Sequence, residues 1–316
     1  MAEAGYRLVR YRSKGGEPQA GVKVGDRVYP AAQMVRGLKD SASVMGLLRE
    51  WHKASPLLEA AAKSADPNDG MALTNVSLMA PVLYPGALYC AGANYWDHLE
   101  EMAEIAKRVT GKAPAMTKAK DPYFFMKNCA GGIIGHGAPA RLPSFSHQVD
   151  WEAELGVVIG RQCRHVSEAD AFDVVAGYLI VNDLSARDLM KREGSPFGMD
   201  WVGQKCFEDA APMGPWLTPA AYVANPNELA IKLWVNGALK QNSNTSRLVH
   251  GIAEQIVYLS QHFTLFPGDV IATGTPAGVG MPRGEFLKVG DEVKIEIDDC
   301  GTLINKMVAD DQAGAR

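Results

Sequence analysis

At 316 residues, with 47% hydrophobic and 22% charged side chains, the chain is long enough for one large domain, or a larger one plus a small one, around a substantial core. Its formal net charge of -4 argues against the basic footprint of a nucleic-acid binder, and no apolar run approaches the ~18 residues that span a bilayer. The start, MAEAGYRLVRYRSKGG, lacks the apolar stretch of a secretory signal, so a cytoplasmic protein without nucleic-acid or membrane partners is expected.

Residues 1–80 open with strand-like YRLVRY and GVKVGDRVYP and continue with helical SVMGLLREW and PLLEAAAKSA. The turn formers of SADPNDG, residues 64–70, then read as a linker. A small amino-terminal domain over residues 1–80 and a larger domain over 81–316 are therefore expected. From residue 81 onward, turn-rich segments separate short strand-like runs, which predicts an α+β, β-rich body rather than regular βαβ units. The five cysteines, Cys90, Cys129, Cys163, Cys206 and Cys300, are scattered and include no CxxC pair, against a disulfide framework or a structural zinc site.

In YCAGANYWDHLEEM, a helix starting at Asp97 puts His98 and Glu101 three residues apart on one face. A carboxylate that orients an imidazole makes it a better general base; the alternative for an isolated HxxE is an exposed helical salt bridge. The following KRVTGKAPAMTKAKDPYF, residues 107–124, is long, basic and broken by Pro and Gly, as a lid or a plain surface connection would be.

Residues 147–161, HQVDWEAELGVVIGR, carry Glu152 and Glu154 into an apolar strand-like run. On an extended strand both carboxylates project from one face while Trp151, Ala153 and Leu155 project from the other. Ionised carboxylates enter a core only with positive partners, so two aimed at one spot suggest a cation site; the alternative is a solvated strand edge. A second apolar strand, AGYLIVNDLSARD, ends at Asp183, which either joins that site or caps a turn, and Arg187 with Asp188 reads as a surface ion pair. Three carboxylates and no His or Cys suit a hard cation such as Mg²⁺ rather than zinc.

In DWVGQKCFEDAAPMGPW, Lys205 either stabilises charge developing on a substrate or is a solvated lysine. LAIKLWVNGALKQ is a hairpin: Leu229, Ile231, Leu233 and Val235 alternate, and Asn236-Gly237 supplies the tight turn. LVHGIAEQIVYLSQH has helical periodicity, and in DEVKIEIDDCGTLINKMV Val293, Ile295 and Ile297 share one strand face. Between them, FPGDVIATGTPAGVG lacks both the GK[ST] of a phosphate loop and GxGxxG spacing, which excludes nucleotide binding of either kind. Its backbone N–H groups and the Thr275 hydroxyl can still hold a substrate carboxylate.

The blocks GANYWDHLEEM, DWEAELGVVIG, VAGYLIVNDLSARD, GQKCFEDAAPMGPW, VNGALKQ and LFPGDVIATGTPAGVG, in this order over residues 81–308, resemble the fumarylacetoacetate hydrolase family. The resemblance implies a mixed β-sandwich roll with a small amino-terminal domain, a homodimer, and a Mg²⁺ or Mn²⁺ site from Glu152, Glu154 and Asp183. It further implies a water-activating dyad of His98 and Glu101, Lys205 beside the metal, and substrate contacts from Gln241 and Thr275. The small-molecule partner would be a 2-oxo acid. The implied reaction is hydrolysis of a C–C bond in a 2,4-diketo acid to pyruvate and a carboxylic acid, in aromatic or sugar-acid breakdown. Oxaloacetate decarboxylation, isomerisation or hydration of a dienoic 2-oxo acid, or keto-acid sensing without catalysis are the alternatives. Asn128, Glu208 and the long 107–124 loop depart from the family pattern, which leaves the substrate more open than the reaction type.

Overall fold

The computed structural model describes residues 5–194, 196 and 198–310. The expected limits at residues 1–4 and 311–316 lie outside them. The chain is α+β and β-rich, and its framework is one long sheet. Its strands run in the spatial order Met71–Ala72, Arg27–Pro30, Gln19–Val24, Arg7–Ser13, Ala211–Pro219, Val175–Asn182, Ala153–Ile159, Val270–Ala272, Leu88–Gly92 and Tyr123–Met126. A second sheet orders Ala238–Asn244, Ala230–Val235, Glu292–Ile297, Gly301–Ala309 and Ala140–Leu142.

Alternation along the strands builds the layers. Leu155, Val157 and Ile159 share a core with Ile231, Leu233 and Val235 and with Val293, Ile295 and Ile297, so the two sheets pack face to face as a sandwich. Ile252, Ile256 and Leu259 of the helix Ile252–His262 close one side of that core. Val158, on the opposite face of its strand, packs with Leu179, Val181 and Val270 and with Leu47, Leu48 and Leu58 from the helices Val44–Arg49 and Trp51–Lys63. The central strands are thus buried on both faces, which is why they read as continuous apolar runs.

The hairpin turns where the sequence places it: Asn236 and Gly237 both adopt left-handed φ, 51° and 77°, the geometry a two-residue turn requires. The expected amino-terminal domain supplies strands that continue the long sheet, with Leu8 opposite Leu217, and helices that cover its face. No helix among the described residues is long and apolar enough to cross a membrane. All five cysteines are free, and burial raises the Cys90 thiol well above its usual range, so it packs as an apolar side chain.

Because Leu48 is fully buried between helix and sheet, Leu48→Ala should lower stability by about 2–5 kcal/mol. Urea denaturation followed by far-UV circular dichroism measures this; an unchanged midpoint would mean that the helical layer adds nothing to the core.

Candidate functional site

The antiparallel pairing of Ala153–Ile159 with Val175–Asn182 sets the start of one strand beside the end of the other, with Ala153 opposite Asn182. Asp183 N–H donates to the Glu152 carbonyl oxygen at 2.9 Å, and Glu152 N–H donates to Asn182 Oδ1 at 3.1 Å. The strand period then turns Glu154 to the same side as Glu152. One carboxylate oxygen from each of Glu152, Glu154 and Asp183 falls within 4.8 Å of the others, and all three residues are buried.

Three cations meet them. Lys205 Nζ spends its three protons on Glu152 Oε2 at 2.9 Å, Asp183 Oδ2 at 2.7 Å and Ser185 Oγ at 2.6 Å. Lys127 Nζ donates to Asp183 Oδ1 at 2.5 Å and to the Leu184 carbonyl oxygen at 2.8 Å. Arg187 donates from Nη2 to Glu152 Oε1 at 2.5 Å and from Nε to Asp150 Oδ2 at 2.9 Å. Burial would raise the Glu152 carboxyl, but Lys205 and Arg187 outweigh it and pull it down to about 2. Burial would likewise lower Lys205, and Asp183 and Glu152 reverse that.

Glu154 differs. Its only hydrogen-bond partner among the described residues is Gly274 N–H, which donates to Oε2 at 2.8 Å. Burial, Asp183 and Glu152 raise its carboxyl well above the usual carboxylate range. Four carboxylates, Asp150, Glu152, Glu154 and Asp183, therefore face three cations, Lys127, Arg187 and Lys205. Glu154 is the carboxyl left without a cation, and the all-oxygen donor set fits a divalent hard cation there, which would hold it ionised.

The glycine-rich stretch supplies backbone. Gly274 has φ 103°, and a Cβ on it would meet Asn94 Cβ at 2.8 Å, so only glycine brings this N–H to Glu154. The same stretch pins the helix Trp96–Thr110: Ala277 N–H donates to Asp97 Oδ1 at 3.3 Å and Gly278 N–H to Glu101 Oε2 at 3.1 Å. His98 Nδ1 lies 3.7 Å from Glu101 Oε2, longer than a hydrogen bond. Burial works against ionised Glu101, yet His98 and the Gly278 N–H hold its carboxyl below the usual range.

A cavity of about 140 Å³ joins these parts. Glu152, Glu154, Arg187 and Lys205 form a charged floor; His98 and Thr275 line it too, and Phe125, Met190 and Trp201 give an apolar wall. Phe125 and Trp201 stack at 5.2 Å between ring centroids. Larger cavities, of about 720, 710, 500 and 240 Å³, share no lining residue with it; the one of 500 Å³ is lined by Arg10, Arg12, Arg141 and Asp209, but none of the four is lined by more than one carboxylate.

Of the residues singled out in the sequence, His98, Glu152, Glu154, Lys205 and Thr275 line the cavity, with Glu101 and Asp183 directly behind His98 and Lys205. Gln241 does not line it: its Oε1 accepts from Ala153 N–H, and its Nε2 donates to Thr275 Oγ1 at 2.9 Å and to the Pro276 carbonyl oxygen. Its amide holds Thr275 from behind. Arg187 is no surface ion pair, because its partners are the buried Asp150 and Glu152; Asp188 instead accepts from Ser146 Oγ and His147 N–H. Lys127 was missed, its one signal being a lysine that ends an apolar strand. Asn128 caps a short helix and Glu208 pairs with Arg141, so neither lines the cavity.

Comparison with known proteins agrees with this architecture. The family profile described as fumarylacetoacetate (FAA) hydrolase C-terminal matches residues 87–308. The chain belongs to the fumarylacetoacetate hydrolase family. Within that family of enzymes, oxaloacetate tautomerase fahd2, mitochondrial, of Xenopus laevis is 39% identical over 255 residues, covering 79% of this chain and 75% of the relative. Maleylpyruvate hydrolase from Sphingobium sp. SYK-6, solved with manganese(II) and pyruvate, superposes with a TM-score of 0.73 at 31% identity, covering 96% and 99% of the two chains. The 2-hydroxyhepta-2,4-diene-1,7-dioate isomerase from Mycobacterium marinum gives 0.69 at 32% identity, with the same coverage.

Replacing Arg187 leaves buried Asp150 with no cation among the described residues and Glu152 with Lys205 alone. Arg187→Met should therefore cost about 3–5 kcal/mol, measured as a shift of the denaturation midpoint. A shift below 1 kcal/mol would mean that neither carboxylate depends on the arginine.

Proposed function

We propose that this member of the fumarylacetoacetate hydrolase family is a divalent-metal-dependent enzyme that hydrolyses a C–C bond in a small 2,4-diketo acid, releasing pyruvate and a carboxylic acid. The observation that carries the reading is the acidic triad, its oxygens within 4.8 Å of one another, with Glu152 and Glu154 on the floor of a small cavity that His98 also lines and Asp183 behind that floor. Ligation by Glu152, Glu154 and Asp183 would give the one carboxyl without a cation its positive partner and leave all four carboxylates ionised. A divalent cation together with one substrate carboxylate brings the buried charge to zero, which selects a monoanionic acid end. When bound, Mg²⁺ or Mn²⁺ supplies Lewis acidity toward the 2-oxo and carboxylate oxygens of such an acid.

The chain's own residues supply the rest. His98, oriented by Glu101, takes a proton from water, and the hydroxide attacks the carbonyl distal to the carboxylate. Cleavage of the adjacent C–C bond leaves the enolate of pyruvate, whose negative charge lies in the field of Lys205. Protonation of its terminal carbon completes pyruvate. Gln241 keeps the Thr275 hydroxyl facing the cavity, where it meets the substrate carboxylate. Sequence identity to the oxaloacetate tautomerases favours a second reading without a hydrolytic water, in which a proton moves between C3 and the C2 oxygen of oxaloacetate with every C–C bond kept, or CO₂ is lost to leave the same enolate of pyruvate.

Pyruvate release from acetylpyruvate, fumarylpyruvate and oxaloacetate, with Mg²⁺ and again with a chelator, separates the two. Metal-dependent release from the acylpyruvates is expected; release from oxaloacetate alone moves the assignment to decarboxylation, and release from none, with faster loss of the ultraviolet absorbance of enol-oxaloacetate, moves it to tautomerisation. Glu152→Ala should abolish Mn²⁺ binding by calorimetry, and retained affinity would refute its place among the ligands. His98→Ala should keep Mn²⁺ binding while hydrolysis falls by about 10²–10⁴-fold.

A further inference from the structure

Nine buried side-chain polar atoms among the described residues have no hydrogen-bond partner, and two belong to residues that line the small cavity: His98 Nδ1 and Gln204 Oε1. His98 has its role in the dyad. Gln204 has none so far. It is only 2% exposed, its side chain makes no hydrogen bond to any described residue, and its backbone is held in the helix Trp201–Lys205 by Gln204 N–H donating to the Asp200 carbonyl oxygen at 3.1 Å. A buried amide without a partner is unfavourable to maintain, and a cavity wall is where such a group finds its partner in a ligand.

Position says which part of the ligand that is. Gln204 directly precedes Lys205, which belongs to the charged floor, and follows Trp201 by three residues, which belongs to the aromatic wall. It therefore sits at the border between the end that takes the carboxylate and the end that takes the acyl group. At about 140 Å³ the cavity is well below the ~300–1,000 Å³ of drug-sized sites, so a bound acid of few atoms touches every wall. The amide is neutral, and its oxygen accepts while its nitrogen donates. It thus matches a neutral oxygen in either tautomeric form, a carbonyl through Nε2 or an enol hydroxyl through Oε1. It offers no charge to a second carboxylate.

We infer that Gln204 is a specificity-determining residue that hydrogen-bonds the C4 oxygen of a 2,4-diketo acid, on the far side of the substrate from its carboxylate. The inference rests on the functional reading above. It predicts discrimination between acids that carry a C4 oxygen and those that do not, since a site built for a polar group loses affinity when the group is absent.

The test uses a His98→Ala background, so that ligand is not consumed, and compares it with His98→Ala/Gln204→Met. Methionine keeps the length of the side chain and removes both polar atoms. Calorimetry of the Mn²⁺-loaded proteins should show acetylpyruvate binding weakened about tenfold by the second substitution, with pyruvate, which has no C4 oxygen, and Mn²⁺ itself bound as before. Unchanged acetylpyruvate affinity would overturn the inference, as would an equal loss for pyruvate, which marks a merely structural role. Failure of the functional reading is visible separately, as no pyruvate release from acetylpyruvate by the unsubstituted protein.

Discussion

The structure depends on holding like charge together inside a β-sandwich. Glu152, Glu154 and Asp183 repel one another at the junction of two strands whose other side chains are apolar. Three segments answer that repulsion. Lys127 arrives at the end of an outer strand, Arg187 from the turn after Asp183, and Lys205 from a short helix. Since paired buried charges roughly break even against apolar packing, the arrangement is explained by what it prepares for rather than by the stability it adds. What it prepares is a set of oriented oxygens with one carboxyl, that of Glu154, still without a cation.

Much of this was legible in the amino-acid sequence, and the pattern of what was not is instructive. Period-two alternation exposed Glu152 and Glu154 as a pair, and the apolar run after them argued for burial. Asn236-Gly237 and the helical spacing of His98 and Glu101 were equally local signals, and the structure reproduces both. The positive half of the site was hidden for the opposite reason. A lysine or arginine at the end of a strand reads as solvated unless its partner is known, and the partner of Lys127 lies 56 residues away. Arg187 looked like half of a surface pair because Asp188 follows it, whereas its guanidinium turns inward to Asp150 and Glu152. Gln241 was placed in the right neighbourhood but one layer too far forward, because hydrogen bonding to a neighbour's hydroxyl leaves no trace in spacing.

The glycine-rich stretch is where backbone takes over from side chains. Gly274 reaches Glu154, Gly278 reaches Glu101, and Gly280 with Met281 reaches Asp150. One segment therefore touches the acidic triad, the dyad helix and the carboxylate that holds Arg187. Gly278 has φ 101° and a Cβ there would come within 2.1 Å of the Lys240 carbonyl oxygen, so the segment is bound by conformation as well as by its hydrogen bonds. These contacts tie the separate parts of the site to one stretch of backbone.

The helix Trp201–Lys205 spans little more than one turn, yet it contributes to two unlike surfaces. Lys205 belongs to the electrostatic floor, while Trp201 and Gln204 line the same cavity with an aromatic ring and a neutral amide. An insertion or deletion there would swing both surfaces at once and unbalance the buried charge, whereas exchange of a single wall side chain leaves Lys205 in register. A change of one wall side chain at constant chain length can therefore reshape the cavity without moving the buried charges.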